Sequence, residues 1–245
     1  MPKKQRSLDI ETRFQEAVQS YWDARNRQQQ KQILGGKVDA GSRGAVTGGS
    51  QMGALEVLVM DVLKAAGLEE LHIKTRLGLE LPGYFRPEKK WDLLVVSKRQ
   101  LVCAIEFKSQ VGPSFGDNFN NRTEEAIGNA VDIWTAYREG LLGTGPRPFL
   151  GFFFLLEDCA RIHKVVRVVE THFKVDPVFK DASYAKRYEL LGRRLLLERH
   201  YDGVCLALAT NEAASRVSHP AQDLSFNRFV AELQAAAHKF AALSG

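Results

Sequence analysis

The stretch WDLLVVSKRQLVCAIEFKSQ, residues 91–110, decides the fold. It holds two apolar runs, WDLLVVS (91–97) and LVCAIEFK (101–108), with only a few polar residues between them. Runs of this length and composition, so closely spaced, predict two strands joined as an antiparallel hairpin. With Lys98, Arg99 and Gln100 as a three-residue loop, Ser97 faces Leu101. Counting back sets Val95 against Cys103, Leu93 against Ile105 and Asp92 against Glu106. On the same count a two-residue loop misaligns the last pair. Opposed residues share a face with Cβ atoms about 4.5–5.5 Å apart, and the two-residue period of a strand puts Lys108 on that face too.

Two opposed carboxylates repel each other unless a cation joins them. A divalent metal does so, and Lys108 supplies a further positive charge. The set suits phosphodiester hydrolysis: hard oxygen donors hold Mg²⁺, which polarises a scissile phosphate and acidifies a bound water. Lys108 can orient or deprotonate that water, or neutralise charge developing on the phosphorane. Gln110, two residues further along the face, can hydrogen-bond water or phosphate. Against this, an acid–x–Lys tripeptide is common by chance, and Asp and Lys often sit harmlessly at strand ends.

Outward from the hairpin, helical spacing of Ile10, Phe14, Ala17, Val18, Tyr21 and Trp22 predicts a helix over 8–34, stopped by Gly35 and Gly36. A Gly-rich loop, 35–50, leads to a second helix, 51–66, with Ser50 as its cap and Leu55, Leu58, Val59, Val62 and Leu63 on one face. A strand is expected at 71–80. After the hairpin, a loop at 111–121 precedes a helix at 122–139, whose core face is Ile127, Ala130, Val131, Trp134 and Tyr137. FLGFFFLL (149–156) is apolar throughout, as a strand covered on both faces should be. Helices at 160–172 and 184–200, a strand at 203–209 and a last helix at 223–242 complete the chain. The resulting class is α/β, a mixed central sheet flanked by helices. Its expected organisation is one domain, 1–245: an N-terminal helical segment (1–36), a catalytic core (51–156) and a C-terminal α/β completion (157–245).

A chain of 245 residues, 44% hydrophobic and 26% charged, can bury a full core. No apolar run reaches the roughly 20 residues of a membrane span, and the basic start MPKKQR lacks a signal peptide's apolar stretch, so a cytoplasmic location is expected. Three widely spaced cysteines make neither a disulfide framework nor a zinc site. The six histidines show no metal-ligand spacing, and no GxSxG elbow is present. A net charge of +5 leans toward a polyanionic partner.

Asp92 … Glu106-Phe107-Lys108 on consecutive strands resembles the PD-(D/E)xK nuclease core, with Trp91 where that motif has its proline. Three longer stretches, GSRGAVTGGSQMGALE (41–56), WDLLVV (91–96) and AIEFKSQVGPSFGDNFNNRTEEAIGNAVD (104–132), resemble the XhoI/PaeR7I family of type II restriction endonucleases. The resemblance implies a restriction-endonuclease-like fold and a homodimer that cuts duplex DNA at the palindrome CTCGAG with Mg²⁺, leaving 5′ overhangs. It also implies a cognate methyltransferase acting on the same site. Under it Asp92 and Glu106 become metal ligands and Lys108 the catalytic lysine. Glu56, on the helix before the sheet, falls where related nucleases often carry a further acid. It borders the apolar face of its helix and is nearly as well read as an ordinary surface glutamate.

For base reading, Asn118, Asn120, Asn121 and Arg122 follow the catalytic strand and are the first candidates. A polar loop ending in a cap at Asn121 explains them about as well. Arg43, Thr47, Ser50 and Gln51, ahead of a helix N-terminus, suit the DNA backbone. Residues 160–200 hold ten basic and five acidic side chains. However, Leu190 and Leu197 share the arc of Lys186, Arg187, Arg193 and Arg194, which favours packing with a solvated rim or a dimer contact. Two other readings keep the same core: a DNA-repair or junction-resolving nuclease, and a non-catalytic DNA-binding protein. The intact Asp92/Glu106/Lys108 set argues against the second.

Overall fold

Three long strands with apolar side chains on both faces make a sheet that must be covered twice. In the computed structural model, which describes residues 3–34 and 51–244, that is how the chain folds. Among those residues the elements run α1 (Lys3–Leu34), α2 (Gly53–Ala65), β1 (Ile73–Lys74), β2 (Glu80–Pro82), β3 (Glu88–Lys90), β4 (Leu93–Ser97) and β5 (Gln100–Gln110). Then follow α3 (Phe115–Arg138), β6 (Phe149–Glu157), α4 (Tyr184–Leu197), β7 (Gly203–Ala209), β8 (Val217–Ser218) and α5 (Phe226–Ser244). The main sheet has the order β1-β4-β5-β6-β7-β8, and β2 pairs with β3 in a separate ribbon. β5, β6 and β7 are parallel, with α3 and α4 as their crossovers; the outer pairings are antiparallel.

Alternate side chains of each strand enter two cores. Leu93, Val95, Cys103, Ile105, Phe107, Phe149, Phe153 and Leu155 pack against α1, α2 and α5. Leu94, Ala104, Leu150, Phe152, Phe154, Leu206 and Leu208 pack against α3 and α4. Gly151 and Gly203 are register partners at the centre. A Cβ on Gly203 would stand 2.7 Å from the Phe149 ring, so glycine there lets the phenylalanines of β6 and α5 close over the sheet.

The 91–110 hairpin forms in the expected register but by another turn. Lys98 and Arg99 both take positive φ (48° and 61°), the backbone of a two-residue primed turn, and Ser97 faces Gln100 instead of Leu101. A bulge between Val95 and Val96 then shifts the register, so Val95 still faces Cys103 and Leu93 still faces Ile105. The expectation that a two-residue loop misaligns the acids is corrected: the bulge restores the lost residue.

Other boundaries also differ. The strand expected at 71–80 breaks into β1 and β2, because Gly78 takes φ +67° in a turn. α3 begins at Phe115, seven residues early, so Asn118–Arg122 lie on a helix and not in a loop. Its buried side is Ala126, Ala130, Ile133 and Trp134, while Ile127 and Val131 are exposed, a rotation of the expected face. No helix forms at 160–172; a turn passes into irregular chain that pairs Val166 with Ala182. The β-branched run VVRVV resists helix there. Ser50 lies outside the described residues, and α2 starts after Met52 with no side-chain cap. On α4, Lys186 and Arg193 pair with Glu189, Arg193 also with Asp223, and Arg194 with Asp176, while Arg187 donates to the Val166 carbonyl at 2.9 Å. No helix among the described residues is long and apolar enough to cross a membrane.

Candidate active site

Asp92 immediately precedes β4, and the register carried back one step from Leu93 and Ile105 sets it opposite Glu106. Its Oδ2 accepts the backbone N–H of Phe107 at 2.7 Å, which ties the end of β4 to β5. Burial, and then the charge of Glu106, push the Asp92 pKa up; Lys108 and the Phe107 N–H pull it back only in part. Glu106 is buried, and each of its oxygens meets an ammonium group. Lys108 pairs with Oε1 and Lys89 with Oε2, the latter at 2.6 Å. For Lys108, burial favours the neutral form, but Glu106, Asp92 and Glu125 outweigh it and raise its pKa. Its side chain is therefore a cation at neutral pH.

Glu56 approaches from α2. Its pKa is pushed up to about 7, first by burial and then by the Asp92 charge, with exposed Arg76 acting the other way. The acids thus act in series: the Asp92 charge raises the proton affinity of Glu56, and the Glu106 charge raises that of Asp92. Asp92 and Glu56 are hard-oxygen donors whose mutual repulsion a divalent cation would relieve, and with Glu106 they fit such an ion. Among the described residues no three His, Cys, Asp or Glu side chains converge on one point, and Glu106 is turned to its two lysines.

Sequence reading missed Lys89. It comes from β3, where it pairs with Leu81, and its only sequence signal is the Lys89-Lys90 pair just ahead of Trp91-Asp92. Also missed was the clamp that holds this ribbon. Asp132 of α3 accepts the N–H groups of Tyr84 (2.8 Å) and Phe85 (2.9 Å) and pairs with Arg86 Nε (2.6 Å). Arg86 in turn donates to Asn129 Oδ1 at 2.8 Å. Gly83 sits so close under the clamp that a Cβ would lie 2.7 Å from the Arg86 carbonyl and the Asp132 carboxylate.

The remaining candidates divide. Asn120 and Asn121 are exposed on the first turns of α3, beside the site, since Glu125 of that helix acts on Lys108. Asn118 donates to the Ser114 carbonyl at 2.5 Å, and Arg122 pairs with Glu125. Asn121 is therefore not a cap. Gln110 is buried, with its amide donating to the carbonyls of Val111 and Ser114 at 3.3 Å, so it braces the turn into α3. Gln51 is buried too and donates to Gln28 of α1 at 2.6 Å. Arg43, Thr47 and Ser50 lie outside the described residues.

Comparison with known proteins gives a consistent set of relatives. The family model for restriction endonuclease XhoI matches residues 31–220. Type II restriction enzyme BstVI of Geobacillus stearothermophilus is 46% identical over 202 residues, covering 80% of this chain and 90% of that protein. AbrI of Azospirillum brasilense, also a type II restriction enzyme, is 51% identical over 168 residues, 68% of this chain and 75% of its own. The type II restriction enzyme XhoI of Xanthomonas vasicola is 46% identical over 183 residues, covering 74% and 73%. No solved structure matches the chain.

Proposed function

The chain belongs to the XhoI family and is a type II restriction endonuclease acting on double-stranded DNA, and from that premise we propose that Asp92, Glu106 and Lys108 form its active site, with Mg²⁺ as the cofactor. The observation that carries this reading is Glu106, a buried carboxylate opposite Asp92 with Lys108 on its Oε1. Asp92, Glu106 and Glu56 would hold the metal. When bound, it supplies Lewis-acid polarisation of the phosphate and a more acidic water.

The residues of the chain do the rest. Lys108, kept cationic by its acidic neighbours, faces the charge that grows on the phosphorane and orients the attacking water. Its raised pKa favours that role over proton abstraction. Asp92, fixed by the Phe107 N–H, has a constrained carboxylate and so presents a defined direction to the metal. Exposed Asn120 and Asn121 on α3 are the strongest base-contact candidates. Asn118 and Arg122 reach DNA on release from Ser114 and Glu125, and Arg43, Thr47, Ser50 and Gln51 remain proposals for the DNA backbone. Residues 1–245 act as one endonuclease domain, because both cores share one sheet. The family reading further supports a homodimer, the target CTCGAG with 5′ overhangs, and a methyltransferase protecting the same site.

Plasmid digestion tests the reading. Discrete, Mg²⁺-dependent fragments from duplex DNA carrying CTCGAG are expected. Nicking that follows DNA structure instead of sequence, or binding without cleavage in Mg²⁺, would overturn it.

A further inference from the structure

Lys89 is held in a built cage. Its ammonium group lies 2.6 Å from Glu106 Oε2, donates to the Lys90 carbonyl at 3.1 Å, and stands 4.3 Å from the centre of the Trp91 ring. An ammonium has three donors, and here two meet oxygen while the remaining charge faces a π surface. The side chain is only 11% exposed. Its backbone is set by pairing with Leu81 across the ribbon, whose tip the Asp132 clamp fastens to α3. A surface lysine that happened to settle on a carboxylate would have none of this.

We propose that Lys89 is the resident counter-cation of Glu106: it neutralises and orients this carboxylate in the unloaded enzyme and yields Oε2 when a divalent cation binds. The inference rests on the reading of Asp92 and Glu106 as metal ligands. A divalent ion sits about 2.0–2.6 Å from a carboxylate oxygen, inside the space that Lys89 Nζ now holds. Two cations repel strongly at such range in a site this dry, so one must leave. Lys108 can keep Oε1. Lys89 has a place to withdraw to, because the Trp91 face and the Lys90 carbonyl remain its partners once Oε2 is released. Without Lys89 the metal-free protein would bury Glu106 with half its compensation. With it, the carboxylate is already aimed when metal arrives. Lys89 is thus a positioning residue whose charge competes with the ion it prepares for.

Lys89→Met keeps the stem against Trp91 and deletes the charge. Titration of the DNA-free protein with Mn²⁺, followed by electron paramagnetic resonance, is expected to show binding at least about tenfold tighter than wild type, since a competing charge has gone. The metal-free Tm should fall and recover with Mn²⁺, and Lys89→Arg should bind Mn²⁺ like wild type. Equal, weaker or undetectable binding by Lys89→Met overturns the proposal. Should that variant fold poorly, wild type carries the test: acetylation of Lys89 by acetic anhydride, read by peptide mass spectrometry, is expected to rise on adding Ca²⁺. An unchanged or slower rate overturns the proposal. Glu106→Gln separates the two layers of the argument. If it binds Mn²⁺ as wild type does, the metal-site reading fails; if it loses binding while Lys89→Met gains nothing, the Lys89 inference alone fails.

Discussion

Glu106 concentrates the chemistry at the residue scale. Glu106→Ala is expected to cut cleavage by at least about a hundredfold, the scale of losing one electrostatic contributor, while DNA binding in Ca²⁺ survives. Cleavage at the wild-type rate would remove Glu106 from the active site. Glu56 makes a second, pH-dependent prediction. Its folded pKa of about 7 lies above the ordinary glutamate value of roughly 4.3, so the native state binds this proton more tightly than the unfolded chain. Its stabilising contribution is full below the unfolded pKa and is lost as pH rises through about 7. Asp92, whose pKa is also raised, adds a slope of the same sign. Thermal melts of metal-free protein between pH 5 and 8 should therefore show stability falling with pH. Glu56→Gln, which cannot ionise, should flatten part of that fall; an identical slope would mean that Glu56 does not titrate in this window. Metal affinity should rise over the same range, since ligands must lose their protons.

At the scale of elements, the ribbon of β2 and β3 carries a residue of the site, yet it belongs to no larger sheet. Three residues in each strand cannot hold a ribbon alone, so its position depends on Asp132. Asp132→Ala removes the acceptor of two backbone N–H groups and the partner of Arg86. Full loss of a buried pair costs about 3–5 kcal/mol; with Arg86 40% exposed, solvent screening reduces this to roughly 2 kcal/mol. Urea unfolding measures that cost. Because the ribbon also aims Lys89, cleavage should suffer more than stability alone explains; unchanged activity in a folded Asp132→Ala protein would show that the ribbon does not position the site. The hairpin of β4 and β5 teaches a related lesson. Leu93 and Val95 face Ile105 and Cys103 in one core while Leu94 faces Ala104 in the other, and this packing goes with Asp92 opposite Glu106 although the turn uses two residues and not three. A bulge is a cheap local adjustment, whereas a one-residue slip would move every side chain of the strand from one core to the other and take Asp92 off the face of Glu106.

For the whole molecule, a double-strand cut at a palindrome calls for two active sites related by a twofold axis. Sedimentation should therefore give twice the 27.4 kDa chain mass at working concentrations, and a strictly monomeric enzyme that still cuts both strands at once would refute the symmetric arrangement. Periodicity and the continuous apolar run 149–156 were enough for the class of fold, because burial on both faces leaves a strand only one kind of environment. They were also enough for Asp92, Glu106 and Lys108, whose shared face follows from the two-residue period of a strand. The start of α3, the buried face of that helix and the irregular path through 163–182 were not legible. Each depends on packing against distant segments, which overrides local propensity. Lys89 and Asp132 lay beyond reach for the same reason: 17 residues separate Lys89 from Glu106 and 46 separate Arg86 from Asp132, and no spacing rule links positions on elements that a short turn does not join. Thus the sequence by itself determined the sheet, its two cores and the acid–acid–lysine face. Tertiary structure alone decided which cations meet the buried carboxylate, because such contacts are made where chain segments remote in sequence are packed together.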